Sequence, residues 1–219
     1  MTVSVPAQVG PATPVWVLLE GASDVAAVRV VAQRAGVSLE ARGVELVDMH
    51  GATNIRRHLF AATEATDSPR VLGMCDAPEA PFFVRALRRV GCAVDGPGDL
   101  PWWGFQVCDR DLEDELVRHL GEAGTRTVLE ELGLTQRFAM LTQQPAWVSG
   151  SFHDRVHRFA GAASGRKELM AGALAGALDL DALPRPLTGL LDAISRSGPT
   201  FEELRGAAPG PDRTAEGRG

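Results

Sequence analysis

At 219 residues the chain is long enough to bury one sizeable core, and it needs no disulfide or metal staple to do so. Its 45% hydrophobic and 23% charged residues are those of a globular protein, and no apolar run approaches the roughly 20 residues a membrane-spanning helix requires. The net charge of −6 argues against passive binding along nucleic acid through a broadly basic surface, but not against an enzyme that meets phosphates through bound cations.

Residues 1–13 are rich in Pro, Gly and Ala and predict a flexible arm; they lack the basic-then-apolar order of a signal peptide. VWVLL (15–19) is continuously apolar, as a strand buried on both faces is, and it stops at Glu20. After Gly21, apolar residues at helical spacing (Val25, Val28, Val31, Ala32) predict a helix over 23–35, with Ser23 as N-cap and Gly36 as its stop. A second strand over 44–49 runs into HGATN, and a helix follows over 54–66. A third strand over 71–75 ends at Asp76, and a helix over 80–90 ends at Gly91. DGPGDLP (95–101) predicts a loop, 104–108 a fourth strand ending at Asp109, and 112–120 the next helix.

Strands alternate with helices to about residue 121, which predicts a parallel α/β sheet over 14–121. Beyond it the pattern is helical over 125–134, 151–163, 167–178 and 187–196, so 122–197 predicts a helical extension packed on the sheet. Residues 198–219 close in GAAPGPDRTAEGRG and predict a flexible tail. Cys75, Cys92 and Cys108, odd in number and without CxxC spacing, fit reduced core residues in a cytoplasmic protein.

Glu20, Asp76 and Asp109 stand at predicted strand ends. In an open parallel sheet ligands bind at the C-terminal ends of the strands, so acids far apart in sequence can converge there. RDLEDE adds Asp111, Glu113, Asp114 and Glu115. Hard cations such as Mg²⁺ take oxygen ligands, and two such ions clamp the attacking and leaving oxygens of phosphoryl chemistry. Each acid also has a plainer reading: Asp24 as a cap or first-turn acid, and the DLEDE run as a solvated helix start.

LLEGASD, VELVDMHGATN, VLGMCDAPE and DLEDEL, in that order, resemble the Toprim domain, the metal-binding α/β unit shared by topoisomerases, primases and OLD-family nucleases. DLE and a later lysine after glycine resemble the OLD branch. Stand-alone actinobacterial Toprim proteins, often labelled ATP-dependent endonucleases, are similar through SGRK and LDLDALPRPL, over about residues 14–195. The resemblance implies a Toprim-like parallel sheet with a C-terminal helical extension. It implies Mg²⁺ or Mn²⁺, in two sites, and DNA or RNA as substrate. It implies Glu20 as a catalytic acid and metal ligand, with Asp24, Asp76, Asp111 and Glu113 as further ligands. Gly21, Gly51, Asn54 and Glu79 would shape the site, and Lys167, the only lysine of the chain, would offset charge developing on the phosphate.

Two departures stand out. The family's Asp-x-Asp reads Asp76-Ala77-Pro78-Glu79 here, with a carboxylate one residue late, which leaves the second ion site incomplete. OLD nucleases carry an ATPase domain, yet the chain has no GxxxxGK[ST] loop, so any ATPase would be a separate partner. His153 and His157 share a helix face and read either as a transition-metal pair or as solvated histidines. His50 lines the turn after the second strand or meets a phosphate, and Trp102-Trp103 cover a loop–core junction or stack on bases. Three functions follow: a metal-dependent phosphodiester-cleaving enzyme, a catalytically degenerate Toprim module that binds nucleic acid or an ATPase, or a small-molecule phosphohydrolase.

Overall fold

The computed structural model describes residues 13–147 and 149–207; the expected arm up to residue 12 and the tail beyond 207 lie outside the described residues. Four parallel strands, β1 (Val15–Leu19), β2 (Val44–Asp48), β3 (Arg70–Asp76) and β4 (Phe105–Cys108), form a sheet of order β2-β1-β3-β4. The two central strands are the unbroken apolar runs of the sequence, because helices cover both of their faces. Alternation divides their side chains. Val17, Leu19, Leu72 and Met74 join one core, and Leu18, Val71 and Cys75 join the other. At Gly73 in mid-strand a Cβ would lie 2.5 Å from the Leu18 carbonyl oxygen, so only glycine admits this approach of β3 to β1.

α1 (Ala22–Arg34) covers the first face, and α2 (Ile55–Glu64) and α3 (Ala80–Arg89) cover the second. Opposite faces follow from right-handed crossovers, since the chain moves one way along the sheet from β1 to β2 and the other way from β2 to β3. The direction of winding reverses between β1 and β3, and there the C-terminal ends of the strands open a crevice.

The predicted helical extension does not form a core of its own. α4 (Leu112–Glu131), α5 (Thr135–Thr142), α6 (Phe152–Gly161), α7 (Arg166–Ala177) and α8 (Arg185–Ser195) share one continuous apolar cluster with α1 and the first face of the sheet. α7 lies against α1 with its glycines inward: a Cβ at Gly172 would sit 3.8 Å from Ala26, and one at Gly176 3.7 Å from Val30. The small residues of MAGALAGA let the two backbones approach, and that contact carries the N-terminus of α7, with Lys167, to the acid-bearing edge of the sheet.

The helices predicted at 112–120 and 125–134 stand as two within α4, separated at Gly121, whose φ of 67° and ψ of 177° are not helical. Other expectations need correction. The loop predicted at 95–101 is wound into 3₁₀ turns over Pro97–Trp103, which bury Trp103 completely. The expected tail starts late: α9 (Phe201–Gly206) buries Phe201 in the second core, and its Thr200–Glu203 capping box supplies the nucleus that composition did not suggest.

Candidate metal centre

β1 and β3 deliver Glu20 and Asp76 to the crevice at the point where the winding reverses. Asp109 does not join them. β4 ends at Cys108, and the Asp109 side chain, 80% exposed, turns to Arg118 at 3.2 Å, so the third strand-end acid belongs to the surface. β2 ends in an acid that the sequence reading passed over. Asp48 accepts the His50 backbone N–H at 2.7 Å and lines the same cleft as Glu20 and Asp76.

The cleft encloses about 270 Å³ and is walled by Glu20, Asp24, Asp76, Glu113, Lys167 and the turn at His50-Gly51. Gly51 adopts φ 110°, a conformation that favours glycine, and donates its N–H to the Glu20 carbonyl at 2.8 Å. Asn54 holds the turn through its side-chain amide, which donates to the Met49 and His50 carbonyls at 2.8 and 3.0 Å.

The acids fall into two groups. In the first, one oxygen each of Glu20, Asp76 and Glu79 lies within 4.8 Å of the others. Glu79 reaches this place because Asp76-Ala77-Pro78-Glu79 is a turn, closed by the Glu79 N–H to the Asp76 carbonyl at 2.9 Å, which folds the fourth residue back over the first. The carboxylate that stands one residue late in sequence thus comes within reach of Glu20 and Asp76. Glu79 Oε2 is buried and no hydrogen-bond donor reaches it. An all-oxygen set containing an orphaned buried oxygen fits a hard divalent cation such as Mg²⁺ or Mn²⁺.

The second group is compensated from within. Asp24 accepts the Gly21 N–H at 3.2 Å, so this acid, and not Ser23, tends the first turn of α1. Lys167 Nζ stands 3.1 Å from Glu113 Oε1. Asp111 caps α4, accepting the Asp114 N–H at 2.7 Å, and its other oxygen faces His157 Nε2 at 3.3 Å. His157 and His153 do not share a site: the first serves Asp111, and the second lies 3.9 Å from Asp114. The DLEDE run is therefore only partly a solvated helix start, since Asp111, Glu113 and Glu115 are all buried.

Packing so many carboxyls together raises their pKa values. Burial pushes Glu20 from 4.5 to about 7, helped by its contact with Glu79 and opposed by Lys167. Burial, then the charge of Glu113, lifts Asp24 to about 7. Asp76 rises to about 8 through burial and the charges of Glu20, Asp24, Asp111 and Glu113. Burial disfavours the charged form of Lys167, but Glu113, Asp24 and Asp111 outweigh it and hold the ammonium above its usual range. Cys75 and Cys108 are buried free thiols, pushed far up by burial, and are core residues rather than nucleophiles.

Residues 14–66, which hold β1, Glu20, Asp24 and the Gly51 turn, match the family model of the overcoming lysogenization defect protein-like TOPRIM domain. Among solved structures, the C-terminal region of the Burkholderia pseudomallei OLD protein superposes with a TM-score of 0.63 at 18% identity, covering 87% of this chain and 98% of that one. The C-terminal region of the Xanthomonas campestris pv. campestris OLD protein, phased with platinum, gives 0.64 at 21% identity over 84% of this chain and 94% of its own. No curated protein matches the chain. The family match covers the first acid-bearing strand and the Gly51 turn, and over most of its length the chain has the fold of the C-terminal regions of these two OLD proteins.

Proposed function

We propose that the chain is a Mg²⁺- or Mn²⁺-dependent enzyme that hydrolyses phosphodiester bonds of DNA or RNA. The observation that carries this reading is the triad Glu20, Asp76 and Glu79, with converging oxygens and one of them lacking any donor, at the crevice where the sheet's winding reverses. These three residues would hold one cation, and Asp24, Asp111 and Glu113 offer oxygens for a second beside it. A bound cation would supply Lewis-acid stabilisation of the phosphoryl oxygens.

The chain's own groups do the rest. Lys167 presents an ammonium at the mouth of the cleft, where it offsets charge gathering on a phosphate. Glu20, with a pKa of about 7, exchanges a proton readily near neutral pH. The Gly51–Asn54 turn holds the Glu20 end of β1 in place by its hydrogen bond to the Glu20 carbonyl. With no side chain at Gly21 or Gly51, a phosphate can approach the backbone there.

A second reading has its own support. Lys167 pairs with Glu113, and His157 faces Asp111, so these two acids have partners without an ion. That favours a degenerate Toprim module which binds nucleic acid or a separately encoded ATPase. Incubation of labelled DNA and RNA with Mn²⁺, beside the Glu20→Gln variant, separates the two. Cleavage by the parent, reduced about a thousandfold or more in a variant with an unchanged circular-dichroism spectrum, is the expected result. Cleavage by neither protein, or equally by both, overturns the enzymatic reading.

A further inference from the structure

The second face of the sheet carries charge of the opposite sign. α2 bears Arg56 and Arg57, and α3 bears Arg85, Arg88 and Arg89, against the single acid Glu64 within the two helices. All five arginines are exposed on a protein whose net charge is −6. Arg88 is committed to the Val94 and Asp95 carbonyls at 2.7 Å each. Arg56, Arg85 and Arg89 make no ion pair among the described residues, and these three line one groove between the helices. The groove encloses about 360 Å³, and Thr53, Ile55, Phe82 and Ala86 complete its walls. Phe82 is 36% exposed, and the Arg85 guanidinium stacks over its ring at 4.7 Å. Phe60, 43% exposed, lies one turn beyond Arg56 on α2.

The two helices that wall the groove start beside residues of the acid centre. α3 starts at Ala80, directly after Glu79, and α2 starts at Ile55, directly after the Gly51–Asn54 turn bonded to Glu20. Both helices therefore begin at the edge of the sheet that holds the carboxylates, and their first turns point backbone N–H groups toward that edge. Guanidiniums without an ion-pair partner along a groove, with the half-exposed Phe82 ring among them, fit a chain of phosphates carrying stackable bases.

We propose that the α2/α3 groove is the track along which a nucleic-acid strand lies as it enters the acid centre, with Arg56, Arg85 and Arg89 on its phosphates and Phe82 stacking a base. The proposal rests on the phosphodiester reading for the direction of the strand, but the binding surface is tested separately from cleavage. Phe82 serves because every base has an aromatic face, so the track carries no sequence preference of its own. It also shows how a protein of negative net charge concentrates its attraction for a polyanion on one face.

The test is fluorescence anisotropy of labelled single-stranded and duplex oligonucleotides with the full chain, without divalent cation, over a range of salt. The parent is compared with Arg56→Gln/Arg85→Gln/Arg89→Gln, with Phe82→Ser, and with Arg137→Gln as control; circular dichroism checks each fold. The triple variant is expected to bind at least about tenfold more weakly, with its log–log salt slope flatter by about 2, as three lost single-strand phosphate contacts require. Phe82→Ser is expected to weaken binding without changing that slope, and Arg137→Gln, exposed on α5 at the other face of the sheet, to leave binding intact. Equal affinity and slope for the parent and the triple variant overturn the proposal, and cleavage by the parent then still stands. Loss of binding in the triple variant, with no cleavage by the parent, upholds the track and removes the enzymatic reading. A parent that binds neither oligonucleotide overturns the track and leaves an acidic protein surface as the occupant of the groove.

Discussion

Two clefts of similar size open at opposite edges of the sheet, and they differ in what satisfies their charges. The one at the C-terminal edge encloses about 270 Å³ among Glu20, Asp24, Asp76, Glu113 and Lys167; the one at the N-terminal edge encloses about 280 Å³ among Arg42, Arg70 and Arg196. The arginines are spoken for. Arg70 donates to the Arg196 and Ala193 carbonyls at 2.9 and 3.1 Å, Arg42 to the Ser195 carbonyl at 3.0 Å, and Arg196 to the Asp192 carboxylate at 3.0 Å. Together they close the end of α8, where unpaired carbonyls collect and cations are favoured. The carboxylates at the other edge are crowded, raised in pKa and, at Glu79 Oε2, without a donor. A charged cluster that saturates its own hydrogen bonds reads as structural, and one that leaves charge uncompensated is the candidate for a ligand site.

Cation binding is the sharpest way to test that contrast. Mn²⁺ at about a hundred times its dissociation constant should stabilise the fold by about 2.7 kcal/mol. For a chain of this length that is a rise in Tm on the order of 5–10 °C, readable by differential scanning fluorimetry. Glu79→Gln should cut Mn²⁺ affinity at least about tenfold by titration calorimetry, because it removes one oxygen ligand of the set. Undiminished affinity in Glu79→Gln would mean that the turn at Pro78 does not rebuild the missing acid.

The next effect is in pH. Glu20, Asp24 and Asp76 ionise near 4 when unfolded and at about 7, 7 and 8 when folded, so the folded state holds more protons between those limits. Stability without cation is therefore greatest below about pH 4 as far as these groups are concerned, and it falls as the pH rises to about 8. Mn²⁺, which needs the ionised forms, should reverse the trend and bind more tightly across the same window. Thermal melts from pH 5 to 8.5, with and without Mn²⁺, check both directions; a cation-free Tm that climbs with pH contradicts the crowding described above.

The smallest effect belongs to the arginine edge. Arg70→Met removes two donors from the end of α8 and should cost about 1–2 kcal/mol, at about 0.5–1 kcal/mol for each of two partly exposed hydrogen bonds. Mn²⁺ affinity should be unchanged, since Arg70 sits at the far edge of the sheet. A change in metal affinity there would couple the two clefts and undo the distinction between them.

Much of this was legible along the chain. β1 and β3 could be read because strands buried on both faces are unbroken apolar runs, and Glu20 and Asp76 because acids directly follow those runs. Asp109 misled by the same logic, since a carboxylate after a strand looks alike whether it turns inward or, as here, out toward Arg118. Glu79 was assigned to shaping the site because its spacing departs from Asp-x-Asp, and only the turn shows that the fourth residue returns over the first.

The sequence by itself determined the alternation of strands and helices that makes a parallel sheet, and the place of Glu20 and Asp76 at strand ends, because these follow from local periodicity. The tertiary structure decided which acids share a cation site and which find a partner. Lys167 meets Glu113 because the glycines of α7 let it close on α1, and the groove between α2 and α3 exists because two helices distant in sequence lie side by side. Contacts of that kind depend on side chains far apart along the chain, and no local pattern records them.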